Sequence, residues 1–306
     1  MARCGEFGVN PSPRMIHTIK KSLEEELIFT KVIMDEDSLG PSGTMALCSA
    51  LQRYSFCRHI LFWRTNSSDG GAIGVAELLK INPSIVYCEL LDTNISADSM
   101  PLLAETVKGS ETLKMISLNH NTIGDEGIAR LSEGLRWNNV LGSLSLKFCG
   151  LGPEGARILS NEVLSRTPLK ILDLQGNSIG PAGVGYIAEC LPQNITLTTL
   201  NLGDVNFGVG EHGEAAVEAA YTALFDSLVI NNTLVDLDFN YNLIGDGGAE
   251  YLTDCLSRRK QKEEAVAMNR VRIYDRGISR EVLTALFESI DAMKPKKGKK
   301  GKGKKK

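Results

Sequence analysis

One 28-residue frame recurs from Phe29 almost to the last residue, and a period of that length leaves few architectures open. The clearest copies begin LKMISLNHNTIGDEG at Leu113, LGSLSLKFCGLGPEG at Leu141, LKILDLQGNSIGPAG at Leu169, LTTLNLGDVNFGVG at Leu197 and LVDLDFNYNLIGDGG at Leu234. Earlier starts at Ile85, Cys57 and Phe29 keep the same apolar slots, and Met268 opens a ninth copy. Six consecutive steps are 28 residues each, whereas the steps to Leu234 and Met268 are 37 and 34, so two insertions interrupt the frame.

Each copy contains two periods. It opens with LxxLxL, whose fourth and sixth residues point the same way along a short strand, as Leu172 and Leu174 do. Its second half spaces apolar residues by three and four, as in Ile128, Leu131 and Leu135 or Val184, Ile187 and Leu191, which is one face of a helix. Leu283, Leu286 and Ile290 keep those slots in copy nine. Between the halves stand Ile-Gly pairs, Ile123-Gly124, Ile179-Gly180 and Ile244-Gly245, where glycine allows a tight turn. A single β-α unit cannot bury both its faces. The copies must therefore stack, with parallel strands on an inner arc and helices outside. A hydrophobic content of 42% with only 6% aromatics suits many small, similar layers.

At the ninth position stand Asn121, Asn177 and Asn242, whose amides can bond backbone groups of adjacent turns. Cys149, Val205, Asp37, Thr65 and Thr93 occupy that slot elsewhere, and those turns are expected to be looser.

The pattern LxxLxLxxNxIGxxG with a period of 28 resembles the ribonuclease-inhibitor-like class of leucine-rich repeats, from about Phe29 to Ile290. The resemblance implies an α/β horseshoe of about nine repeats with a concave binding face. It is specific for fold and not for function, since this architecture serves inhibitors, GTPase regulators, immune receptors, actin-cap proteins and ciliary scaffolds.

The expected organisation is an N-terminal capping segment over 1–28, the repeat domain over 29–293 and a disordered tail over 294–306. Ile16, Ile19, Leu23 and Leu27 lie at helical spacing and predict a lid on the first repeat. In the first insertion GVGEHGEAAVEAAY reads as a loop or an extended helix, and in the second SRRKQKEE reads as a solvated helical extension. Nine lysines fall in Lys294–Lys306, so of 34 Lys+Arg the body keeps 25 against 37 Asp+Glu, a charge near −12. The tail's Lys296, Lys297, Lys299, Lys300, Lys302, Lys304, Lys305 and Lys306 offer charge without base readout. They predict electrostatic anchoring to a polyanion such as an acidic tubulin tail, RNA or anionic lipid, with nuclear import and a plain solubilising tail as the other readings.

Seven scattered cysteines without CxxC spacing predict free thiols and no zinc site. No apolar run is long enough to span a bilayer, and the N-terminus has no apolar signal region. The expected setting is therefore intracellular, cytoplasmic or cytoskeletal, with a cilium and the nucleus as narrower readings.

Residues beside the inward leucines map the concave side. Trp63, Arg64 and Tyr87 lie in the early copies and Phe148 in the middle. Asp173, Asp204, Asp236, Asp238 and Tyr241 follow, then Tyr274. An acidic stripe over copies six to eight, with aromatics as candidate hot spots, predicts a face that holds a basic protein surface. The four histidines are far apart, and HExxH, GxSxG and Walker patterns are missing. The expected function is accordingly a non-catalytic scaffold or adaptor for a protein partner, without cofactor or metal. The alternative is a GTPase-activating protein for a Ran-like small GTPase, to which the repeat type is similar and in which Arg64 would match the functional arginine.

Overall fold

The protein's structure, a computed structural model, describes residues 5–10, 13–25, 28–35, 39–208, 212–262 and 268–293. The tail from Lys294, Asp37 and residues 263–267 of the second insertion lie outside them. An N-terminal helix, α1 (Pro13–Glu24), forms where the apolar spacing predicts one.

Nine strands follow: β1 (Lys31–Asp35), β2 (His59–Trp63), β3 (Tyr87–Leu91), β4 (Met115–Ser117), β5 (Ser143–Ser145), β6 (Ile171–Asp173), β7 (Thr199–Asn201), β8 (Asp236–Asp238) and β9 (Arg270–Arg272). They form one parallel sheet in sequence order. The pairing follows the repeat: Ile60 opposes Cys88, Ile116 opposes Leu144, and Leu172 opposes Leu200. At the two insertions the offset becomes 37 (Leu200 with Leu237) and 34 (Leu237 with Val271), and the ladder continues across both. Leu118, Leu146, Leu174 and Leu202 are each 0% exposed, at roughly 1.5–3 kcal/mol per buried side chain.

The helices pack on the other side of the sheet: α2 (Gly40–Leu51), α3 (Ser68–Ile81), α4 (Met100–Gly109), α5 (Gly124–Leu135), α6 (Pro153–Ile158), α7 (Gly180–Cys190), α8 (Glu214–Ile230), α9 (Gly245–Lys260) and α10 (Arg280–Met293). Helix α6 continues into a π-helical stretch, Leu159–Leu164. Gly124, Gly180 and Gly245 enter their helices with φ of 62°, 63° and 65°, a left-handed turn that glycine makes at little cost. The first insertion feeds α8, so the extended-helix reading of that segment holds.

Neighbouring helices approach closely where α5 crosses α4. A Cβ on Gly134 would lie 2.0 Å from Ala104 O and 2.7 Å from Ala104 Cα, both backbone atoms. Alanine is the better helix former by about 1 kcal/mol, but the forced separation of two packed helices outweighs it. We expect Gly134→Ala to lose about 2 kcal/mol net in urea unfolding; no loss would show that the crossing relaxes freely.

Two asparagine ladders satisfy the turns between layers. Asn177 Nδ2 donates to Leu146 O (2.8 Å) and Leu174 O (2.7 Å), and its Oδ1 accepts from Cys149 N (2.9 Å) and Leu151 N (3.1 Å). Each ninth-position asparagine thereby closes its own turn and the one before it. At Thr93, Cys149 and Val205 this overturns the expectation of looser turns where the slot lacks asparagine. Thr93 N and Val205 N are taken by Asn121 and Asn242 of the following copies. Cys149 is itself buried, with its thiol directed to Leu118 O at 3.2 Å. Thr65, Ser67 and Thr44 form a buried hydroxyl chain with links of 2.7 Å.

The second ladder stands where each helix turns back to a strand. Asn82, Asn138, Asn194 and Asn231 lie three residues before their copies' first apolar residue, and each donates to carbonyls of the previous layer. Copy nine does this differently. Arg259 of α9 is 0% exposed, and its guanidinium donates to Leu228 O, Asn231 O (2.6 Å) and Leu234 O (3.1 Å). Ser257–Lys260 is thus not simply a solvated extension: Arg259 turns inward to supply donors to two carbonyls at the end of α8 and to that of Leu234 at the start of copy eight.

Candidate functional site: the inner face of the sheet

Alternation along each strand buries the fourth residue of a copy and leaves the third and fifth on the free side of the sheet. Tyr87 and Asp236 occupy third positions, and Asp173 and Asp238 fifth positions. Trp63 and Tyr274 stand at position seven. Arg64, Phe148, Asp204 and Tyr241 stand one residue further, past the strand, on its rim.

That eighth position has a backbone signature the sequence does not announce. It is left-handed in seven consecutive copies: Arg64 (55°), Asp92 (52°), His120 (59°), Phe148 (51°), Gly176 (73°), Asp204 (54°) and Tyr241 (63°). Six of these seven are not glycine and carry backbone strain of about 1 kcal/mol each. Their side chains form a ridge along one border of the face. His120 and Phe148 stack at 4.7 Å with 15° between their planes. The Phe148 ring also lies against Gly176, where a Cβ would come within 2.1 Å of Cε1. Tyr241 meets Tyr274 edge to face at 5.7 Å.

The early copies carry an apolar surface with paired charges. Trp63 is 38% exposed and lies beside Leu91 in register, while Ile33 and Leu61 are neighbours in the same way. Arg64 covers the Trp63 ring at 5.2 Å and meets Asp92 at 3.3 Å. His59 Nε2 and Glu89 Oε1 are 2.6 Å apart, with Tyr87 tilted against the imidazole at 5.7 Å. The middle copies are small and polar. There Asn119 Oδ1 accepts from Ser145 Oγ (2.7 Å) and Lys147 N (2.8 Å).

The acidic stripe is partly neutralised from within. Lys147 Nζ reaches Asp173 at 2.9 Å, and Arg272 reaches Asp238 at 2.6 Å. Asp204 and Asp236 have no basic partner among the described residues. What remains is a mixed face, with aromatic groups at both ends and two unpaired carboxylates between Phe148 and Tyr274.

Burial pushes the thiols of Cys88, Cys149 and Cys255 up to about 12, and that of Cys48 further still, so these cysteines are poor nucleophiles. Among the described residues no group of three His, Cys, Asp or Glu could hold a metal ion. No described helix is long and apolar enough to cross a membrane.

A family model described as Leucine Rich repeat matches residues 109–132, 166–188 and 231–252. These stretches belong to copies four, six and eight, the three that have asparagine at position nine. No curated protein sequence matches the chain. Among 96 matching chains of solved structure is "Leiomodin-1 Actin-Binding Site 2 (ABS2)", 24% identical with a TM-score of 0.44, covering 54% of this chain and 90% of that one. Nine parallel strands in sequence order, with the family model resting on three of the copies, give the chain the fold of an α/β leucine-rich-repeat solenoid.

Proposed function

We propose that the chain is a non-catalytic scaffold or adaptor, ribonuclease-inhibitor-like in its repeats, that holds a protein partner on the inner face of its sheet. The observation that carries this reading is the set of aromatic side chains left open on that face and its rim. Trp63, Tyr87, Phe148, Tyr241 and Tyr274 are 38% to 56% exposed on a rigid parallel sheet. Aromatic groups held in place beforehand lose little conformational freedom on binding, and such residues dominate interface energetics. The unpaired Asp204 and Asp236 favour a partner with basic groups between two apolar anchors.

In the same proposal the lysine tail, which lies outside the described residues, anchors the complex to a polyanion such as an acidic tubulin tail or RNA. Six free cysteines are described, five of them buried, and their usage favours a reducing compartment. A cytoskeletal or ciliary setting and a nuclear one remain parts of this proposal, drawn from the family resemblance and from the tail. Activation of a Ran-like GTPase is less favoured, because an arginine in that role must extend to the nucleotide and Arg64 is engaged by Asp92 and Trp63.

Photo-crosslinking tests the face directly. A benzophenone side chain at Tyr87 or Tyr241 should trap one protein in native extract, and the same group at the outer-helix residue Glu105 should not. Traps that concentrate on the outer helices, or that vanish only when 294–306 is deleted, would move the binding site away from the sheet.

A further inference from the structure

A second surface lies at the edge where helices turn back into strands, in copies four to six. Its two most prominent side chains are Ile195, 80% exposed, and Trp137, 67% exposed, the most open of the large hydrophobic residues described. Neither faces the inner side of the sheet, and the partner-holding proposal uses neither. Three successive turns, at Asn139, Ser165–Pro168 and Gln193–Thr196, line a cleft of about 370 Å³ with Leu164 among its walls. Most of the lining is polar, with Leu164, Pro168 and Ile195 as its apolar members, and the exposed Trp137, two residues from Asn139, is of a type enriched at interface centres.

The charges beside the cleft are incompletely matched. Arg136 and Arg166 both approach the same carboxylate oxygen, Glu162 Oε2, at 3.6 Å each, which is longer than a hydrogen bond. Arg136 also covers the Trp137 ring at 5.8 Å. Glu162 Oε2 and Arg136 Nε are covered atoms that have no hydrogen-bond partner among the described residues. Among the described residues, two guanidinium groups share one carboxylate, an excess of positive charge in a body whose net charge is near −12. Glu162 lies in the π-helical stretch Leu159–Leu164, whose wider turn leads directly into Ser165 and Arg166 at the cleft.

We infer that this edge is a second docking site, one that takes a peptide segment of another protein in which an apolar side chain neighbours a carboxylate. The apolar group enters the cleft between Leu164, Pro168 and Ile195. The carboxylate meets the exposed guanidinium nitrogens of Arg136 and Arg166, which Glu162 approaches only at 3.6 Å.

The chain's two tryptophans make the test simple, because Trp63→Phe leaves Trp137 as the single indole reporter. The probe is an N-acetylated pentapeptide of alternating Glu and Leu, and the control replaces Glu by Lys. The Glu-Leu peptide should change Trp137 emission saturably, and the Lys-Leu peptide should bind at least tenfold more weakly. Ile195→Ser and Arg166→Ala should each weaken the Glu-Leu peptide about tenfold with unchanged thermal unfolding. Equal binding of both peptides, no saturable change, or insensitivity to both substitutions overturns the proposal. So does an emission change that grows with protein concentration alone, which would mark the edge as a contact between copies of this chain.

Discussion

Replacing Arg259 with methionine should cost about 3–5 kcal/mol and should loosen the C-terminal end of the solenoid before the rest. The side chain is fully covered, and its nitrogens are held by carbonyls of Leu228, Asn231 and Leu234. Two of these oxygens lie at the end of α8, where the negative pole of the helix favours a cation. Burial pulls the guanidinium pKa down from its ordinary value, yet no other side chain could keep a charge there so readily. Methionine fills much of the volume and supplies no donor, so the three carbonyls would remain buried and unmet. The neighbouring Arg258 is the control. It is exposed, pairs with Asp226 at 3.0 Å, and should tolerate the same change with little effect.

Hydrogen exchange distinguishes this account from a general loss of stability. In a stack where each copy touches only its neighbours, copies eight and nine should lose protection while copies three to six keep theirs. If Arg259→Met shifts urea unfolding by less than about 1 kcal/mol, the carbonyls have other donors and the account is wrong.

The second large effect concerns binding. Trp63→Ala combined with Tyr87→Ala should weaken the crosslinked partner about a thousandfold, since each aromatic anchor is worth about 2 kcal/mol. Both side chains are partly solvated, so stability should fall by only about 1 kcal/mol. Tyr241→Gly sharpens the comparison. Its backbone sits at φ 63°, which glycine adopts without strain, so this variant removes an aromatic ring without the usual glycine penalty. Partner affinity measured by surface plasmon resonance should fall for both variants while urea midpoints stay near the wild type. An unchanged affinity in both would remove the inner face as the binding site.

Much of the architecture could be read from spacing. Leu118, Leu146, Leu174 and Leu202 are 28 residues apart because each fills the same slot of the same small layer, and a layer needs only its neighbours to be complete. The second asparagine ladder was equally readable, since Asn82, Asn138, Asn194 and Asn231 all stand three residues before a copy's first apolar residue. The candidate site was legible only as a set of positions. Sequence places Asp173 and Asp238 on the inner face, but their charge depends on Lys147 and Arg272, which arrive from the adjoining copies.

Sequence by itself determined the number of copies, the strand and helix in each, and the places where insertions leave the frame, because these follow from local period and from nearest-neighbour stacking. Tertiary structure alone decided which charges cancel, that the eighth residue of seven consecutive copies turns left-handed, and that Arg259 goes inward while Arg258 stays out. Those outcomes depend on atoms brought together from different layers. A buried carbonyl takes whichever donor reaches it, and neither spacing nor residue type states in advance which one will.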